Sequence, residues 1–210
     1  MATYHDIFQF GNNIRLNKHI NTGDTMTQLR AFDDDWNQYN EFKPHIQRQG
    51  LCLLNEDGIN KPGPAISSLY EWNEINDTQY LETDFNISTP VYDACTDVRK
   101  ILDEIKPHIY RTHFLNLKPG GYFTPHRDSY QTNHQTFRLL IPIANTSNPW
   151  CRFMIEDTPL YFEPGSMYVV NTILEHTLFN AGSHDSIWLV INAHVCDEMV
   201  NYVMDNMTIR

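Results

Sequence analysis

Apolar residues change their rhythm near residue 109. Before that point they recur at helical spacing in two stretches. Met26, Leu29, Phe32, Trp36 and Tyr39 lie three or four residues apart, with Asp24 and Thr25 where a helix cap belongs. Ala94, Cys95, Val98, Ile101, Leu102 and Ile105 form a second stripe, which Thr89-Pro90 opens and Lys106-Pro107 closes. Between the stripes, GLCLLNEDG (50–58) reads as a short strand ending in a turn. Residues 60–88 carry Lys61-Pro62-Gly63-Pro64 and little periodicity, and they read as a long ordered loop whose Leu69, Tyr70, Trp72 and Tyr80 must pack somewhere.

From 109 onward the apolar runs are short. IYRTHFLNL (109–117), TFRLLIPIA (136–144), WCRFMIE (150–156), MYVVN (167–171) and SIWLVINAHV (186–195) read as strands. The turns Pro119-Gly120-Gly121, NTSNP (145–149) and EPGS (163–166) separate them. In WCRFMIE, alternation puts Cys151, Phe153 and Ile155 on one side. Pro142 lacks an amide hydrogen and predicts a sheet edge or an irregularity. CDEMVNYVMDN (196–206) predicts a short terminal helix. Short strands with turn signals roughly every 8–12 residues indicate a sandwich or barrel. The expected fold is therefore mixed α+β, mainly β, a jelly roll supported by helices from the N-terminal half. One domain is expected over 1–210: helices and loops (1–108) packed on a jelly-roll core (109–195), then a C-terminal tail (196–210).

Charge and cysteine usage narrow the partners. A formal charge of −11 argues against a protein that tracks nucleic-acid phosphates, and against an anionic membrane surface. Cys52, Cys95, Cys151 and Cys196 form no C-x-x-C pair, so a zinc ribbon or redox motif is not indicated and free thiols in a reducing compartment are. MATYHDIFQF lacks the pattern of a signal peptide, and no apolar run is long enough for a membrane span. The expected location is cytoplasmic.

The chemistry centres on Pro125-His126-Arg127-Asp128, just after the glycine turn. In an extended segment, residues i and i+2 point the same way, so His126 and Asp128 can converge on one ion while Arg127 points elsewhere. H-x-D alone is a common tripeptide. A third donor, His176, follows near the end of a β segment 50 residues later, and a jelly roll can bring the two places together. Two imidazoles and a carboxylate on one face of an octahedral ion leave three positions open, an arrangement that suits a non-haem Fe(II) oxygenase. The triplet Asp33-Asp34-Asp35 reads instead as a solvated helix face, because consecutive helical residues diverge.

Three motifs in order carry a family resemblance. They are R-x-x-x-L-x-L-x-P-G-G-x-x-x-P-H-R-D (111–128), F-R-L-L-I-P-I (137–143) and P-G-S-M-Y-V-V-N-T-x-x-x-H-x-x-x-N-x-G (164–182). Over roughly residues 109–195 the chain resembles the aspartyl/asparaginyl β-hydroxylase-like branch of Fe(II)/2-oxoglutarate-dependent dioxygenases. The resemblance implies a double-stranded β-helix, iron held by His126, Asp128 and His176, and Arg138 beside 2-oxoglutarate, with dioxygen as the other co-substrate. It implies hydroxylation of an unactivated C–H on a free amino acid or a protein side chain.

One position departs from the pattern. The arginine such proteins usually carry ten residues after the distal histidine, where it grips the far carboxylate of 2-oxoglutarate, is Ser186 here. Three readings stay open. Arg138 itself takes that carboxylate; or Arg152 reaches inward while Ser186 supplies a hydroxyl; or the co-substrate is not 2-oxoglutarate. The third keeps alive a cupin-like metal-dependent hydrolase or isomerase that uses the same triad; a separate alternative is a non-enzymatic β-sandwich binding module in which the triad is coincidental. Among the other residues, His134, His184 and His194 read as hydrogen-bonding or exposed histidines, and Trp188 as core. His113 alternates with Arg111 and Leu115 and is expected to line the cavity. Asn180 is expected to satisfy the turn after His176, with Gly182 at positive φ, and the aromatic-rich 60–92 segment to line or cover a substrate cleft.

Overall fold

The computed structural model of the chain describes residues 2–128 and 135–208, so His134 lies outside the described residues. Three nine-residue strands dominate: β5 (Ile109–Leu117), β7 (Thr136–Ala144) and β12 (Ser186–His194). They are the strands read from the apolar runs. With β1 (Asn13–His19), β2 (Asn37–Gln38), β3 (Arg48–Asn55), β4 (Ile87–Ser88) and β10 (Ser166–Val170) they form an antiparallel sheet ordered β1-β10-β7-β12-β5-β3-β2, with β4 also on β3. A four-stranded sheet, β6-β11-β8-β9, lies over part of it, built from β6 (Tyr122–His126), β8 (Cys151–Ile155), β9 (Thr158–Leu160) and β11 (His176–Asn180).

Side-chain alternation explains why the long strands are apolar throughout. Leu139, Ile141, Leu189 and Ile191 face a helical layer, where they meet Val98, Leu102, Met199 and Val203. Their neighbours Leu140, Trp188 and Val190 face the other way, onto Phe153, Ile155 and Leu178 of the small sheet. A strand buried on both faces shows no polar half, so it reads as a continuous apolar run. The result is a double-stranded β-helix with helices on its outer face. Cys151, Phe153 and Ile155 do share the buried side of β8.

The N-terminal half departs from its expected form. It supplies β1 to β4 to the main sheet, not only helices and loops. In β1 only Ile14 and Leu16 are buried among polar residues, too weak a pattern to announce a strand. The first helix, α2 (Thr22–Leu29) after the short α1 (Tyr4–Phe8), is capped by Asn21, whose side chain accepts from the amides of Gly23 and Asp24. Thr25 is buried inside it, and the helical spacing of Trp36 and Tyr39 belongs to a chain that has already turned. The 60–88 stretch holds a helix, α3 (Leu69–Asn76), capped by Ser68. None of its residues is buried, which is why no apolar stripe marks it. The second stripe divides at Cys95, where ψ of 73° ends α4 (Pro90–Ala94) before α5 (Thr96–Ile105). The tail forms α6 (Asp197–Asn206).

Pro142 is not at an edge: β7 runs between β10 and β12. It sits opposite a register shift between Ile187 and Trp188, an irregularity that removes the need for its missing amide hydrogen. Among the described residues, no helix is long and apolar enough to cross a membrane.

The turn that launches β6 is tightly built. Gly120 has φ +78°, and a Cβ on Gly121 would meet the Gln47 carbonyl oxygen at 2.3 Å and that of Lys118 at 2.9 Å. Backbone cannot yield as a side-chain tip does, so Gly121→Ala is expected to cost about 2 kcal/mol. A urea unfolding midpoint equal to that of the wild type would contradict this.

Candidate metal centre

β6 ends at His126 and β11 begins at His176, and the two are direct partners across the ladder. His176 therefore opens a strand and does not close one. The pairing brings the imidazole centres to 4.2 Å. His126 Nδ1 lies 2.7 Å from the Thr124 carbonyl oxygen, and His176 Nδ1 3.1 Å from that of Leu174. A carbonyl only accepts, so each Nδ1 carries the hydrogen and each Nε2 keeps its lone pair. Phe123 stacks on His126 and Phe153 on His176, which fixes both ring planes.

Asp128 lies beyond the strand, so strand alternation alone does not aim it. Its amide donates to the Thr172 carbonyl at 2.8 Å, which ties the H-x-D bend to the turn that follows β10. Asp128 Oδ1 is then 3.6 Å from His126 Nε2. One donor atom each from His126, Asp128 and His176 lie within 4.8 Å of one another.

Arg138 closes the far side of Asp128, with Nε 2.8 Å from Oδ2. Burial alone would raise the carboxyl pKa, but the guanidinium, helped by the two imidazoles, holds it well below the usual carboxylate range. Arg138 Nη1 also donates to Asn192 Oδ1, and its other terminal nitrogen has no partner among the described residues. The chain of contacts runs on: Asn192 Nδ2 to Glu82 Oε2 at 3.0 Å, Glu82 Oε1 to Arg111 Nη2 at 2.7 Å, and Arg111 Nη1 to the Ser67 carbonyl at 3.0 Å. The 60–88 segment thus supports the site from one layer behind. The cavity wall itself takes no residue from 60–92.

The cavity opens over this cluster. Tyr39 and Thr172 add polar atoms to its wall, while Leu140, Phe153, Leu178, Trp188 and Val190 make its apolar part. Trp188 is both buried core and cavity wall.

The remaining sequence candidates are placed elsewhere. Arg152 is exposed, on the side of β8 opposite Phe153. Ser186 is fully buried and engaged, accepting from Trp188 Nε1 at 2.9 Å and donating to Cys151 Sγ at 3.2 Å. Neither lines the cavity. His113 is 2% exposed, 5.5 Å from the Tyr39 ring and also outside the lining. His184 is exposed, and His194 packs its ring against Tyr110. Asn180 satisfies the turn as its position suggested, donating to the Leu117 and His184 carbonyls and accepting from the Gly182 amide. Gly182 is not at positive φ; it is needed for space, because a Cβ there would meet Trp150 Cβ and Asn180 Oδ1 at 3.2 Å each.

Sequence reasoning missed Asn192, Glu82, Thr172 and Arg48. Asn192 had a signal: it follows Trp188 and Val190 at period two, opposite Arg138 in register. Glu82 sits in a 3-10 turn within an aperiodic stretch and had none. Arg48 is 5% exposed and stacks its guanidinium 4.1 Å over Phe123 and 5.3 Å over Tyr39. These two ring faces help to compensate its burial, for its Nε has no hydrogen-bond partner among the described residues.

Burial pushes the His176 pKa down to about 4, against the opposing pull of Asp128. Burial likewise holds His113 well below its usual range. An unfolded histidine takes its proton near pH 6.5. Below that pH the unfolded state binds a proton that the folded state refuses, so stability falls between about pH 6.5 and 4. His176 alone accounts for on the order of 3 kcal/mol of this loss. Urea midpoints of metal-free protein should drop from pH 7.5 to pH 5, and less steeply in His176→Gln; equal slopes would contradict the assignment.

Solved structures similar to the chain include a predicted oxalate decarboxylase from Thermotoga maritima, 13% identical, TM-score 0.33, covering 44% of this chain and 73% of that one. Another is a cupin domain from Bordetella pertussis Tohama I, 17% identical, TM-score 0.32, covering 41% of this chain and 81% of that one. Comparison with curated proteins gives no match. The aspartyl/asparaginyl beta-hydroxylase family matches residues 26–194, a span that holds both paired histidines, Asp128, Arg138 and the strands that position them. The chain belongs to the aspartyl/asparaginyl beta-hydroxylase family.

Proposed function

We propose that the chain is an Fe(II)- and 2-oxoglutarate-dependent dioxygenase that hydroxylates an unactivated C–H of an amino acid or a protein side chain. The observation that carries this reading is the convergence of His126, Asp128 and His176, with both Nε2 lone pairs available and the carboxylate ionised. Two neutral imidazoles and one carboxylate are the donor set that suits Fe(II) with positions to spare. When bound, iron and 2-oxoglutarate supply the oxidising chemistry, consuming dioxygen and releasing succinate and carbon dioxide.

The chain's own residues bind and orient. The Thr124 and Leu174 carbonyls fix the tautomers of His126 and His176, and the Asp128 amide bond to Thr172 sets the carboxylate. Arg138 keeps Asp128 ionised and offers its remaining terminal nitrogen to a carboxylate of 2-oxoglutarate. The apolar wall of Phe153, Leu178 and Trp188 excludes water from that side. The net charge and the free cysteines support a neutral or basic substrate, no nucleic-acid or membrane partner, and a cytoplasmic location.

A second reading, a cupin-like metal enzyme that does not use 2-oxoglutarate, draws on one observation. Ser186 replaces the usual arginine and is already engaged with Cys151 and Trp188, so the cavity wall has Arg138 as its cation. Succinate release separates the two. The dioxygenase reading expects release that needs both iron and 2-oxoglutarate and stops on chelation; metal-dependent turnover without succinate would favour the second.

A further inference from the structure

We propose that His108, Cys196 and Glu198 form a zinc site separate from the cavity. His108 ends the 3-10 turn Lys106–His108 that links α5 to β5. Cys196 is the residue before α6, and Glu198 lies in the first turn of that helix. One donor atom from each lies within 4.8 Å of the other two. None of the three lines the cavity, and Cys196 packs against the core on the helical side of the main sheet.

Cys196 Sγ is 3.5 Å from His108 Nδ1. Two ligands of a tetrahedral zinc, with Zn–S about 2.3 Å and Zn–N about 2.05 Å, stand about 3.5 Å apart. An S–H···N hydrogen bond has a similar length, so this distance does not decide between them. The third donor adds a carboxylate, for Glu198 lies against the same thiol. Without a metal, the thiol hydrogen goes to that carboxylate and the sulfur accepts from His108 Nδ1–H. A divalent cation takes the place of the thiol hydrogen and draws on all three donors at once.

The donor set also selects the metal. A thiolate with an imidazole favours zinc over hard cations such as calcium or magnesium. Among the cysteines, Cys52, Cys95 and Cys151 are buried and only Cys196 is partly exposed, so an ion from solvent meets this thiol first. Binding exchanges the thiol hydrogen for the metal, with the proton released to solvent. With three protein donors the fourth tetrahedral position falls to water. The ion would fasten α6 to the α5–β5 turn, two places 88 residues apart in sequence.

Cobalt(II) gives the test, because only a thiolate ligand produces a sulfur-to-cobalt charge-transfer band in the near ultraviolet. Metal-free, full-length protein titrated with cobalt(II) should develop this band, and zinc should displace it. The band should persist in His126→Ala/His176→Ala, whose cavity site contains no sulfur, and vanish in Cys196→Ser. In the His126→Ala/His176→Ala background, where the cavity site is removed, His108→Gln should weaken zinc binding by about tenfold or more, a readout that serves if Cys196→Ser does not fold. No band in the wild type, a band that survives Cys196→Ser, or unchanged zinc affinity on adding His108→Gln to that background would each overturn the proposal.

Discussion

His176→Ala should bring turnover down by about a thousandfold or more, since a metal worth several kcal/mol in the transition state would be held by two donors instead of three. The folded state should suffer much less. The ring is stacked on Phe153 and faces an open cavity, so its removal exposes space already adjoining solvent. Its effect on stability should also depend on pH. The wild type carries a buried neutral imidazole that disfavours folding in acid, so the stability gap between wild type and variant should narrow below about pH 6. Activity lost in parallel with global unfolding would instead make His176 a packing residue.

Asp128→Ala should be harmful twice over, in metal binding and in folding. Arg138 and Asp128 are both largely buried, at 16% and 19% side-chain exposure. Removing the carboxylate leaves the guanidinium with Asn192 and only the more distant Glu82 carboxylate, which is already paired with Arg111, at a cost of about 3–5 kcal/mol. The double variant Asp128→Ala/Arg138→Met removes the stranded charge as well. It should recover at least about half of the lost stability while remaining inactive. Chemical denaturation of the two single variants and the double variant reads this directly. A double variant no more stable than Asp128→Ala would mean that the ion pair is not what couples these positions.

How much of this was legible in the sequence depends on how each residue is buried. The long strands announced themselves because both of their faces are covered, so β5, β7 and β12 read as apolar runs. The H-x-D motif and His176 were visible as donors, but their meeting is a matter of ladder register, His126 opposite His176, which no local pattern encodes. The aim of Asp128 comes from one amide bond to Thr172, equally silent in the sequence. Asn192 was readable as a polar residue at an inward position of an apolar strand. Glu82 was not, since a turn in an aperiodic stretch carries no phase. Arg152 and Ser186 show the opposite failure: each fitted by spacing alone, yet alternation turns Arg152 outward, and two side-chain contacts already occupy Ser186.

One divalent ion should be held jointly by residues from the end of β6, the bend after it and the start of β11. A crystal structure of protein loaded with manganese(II), as an inert stand-in for iron, with the ion located by anomalous scattering, tests it most directly. The ion is expected at about 2.0–2.3 Å from His126 Nε2, His176 Nε2 and an Asp128 oxygen. An ion bound elsewhere, or a cavity that stays metal-free at saturating manganese, would contradict it.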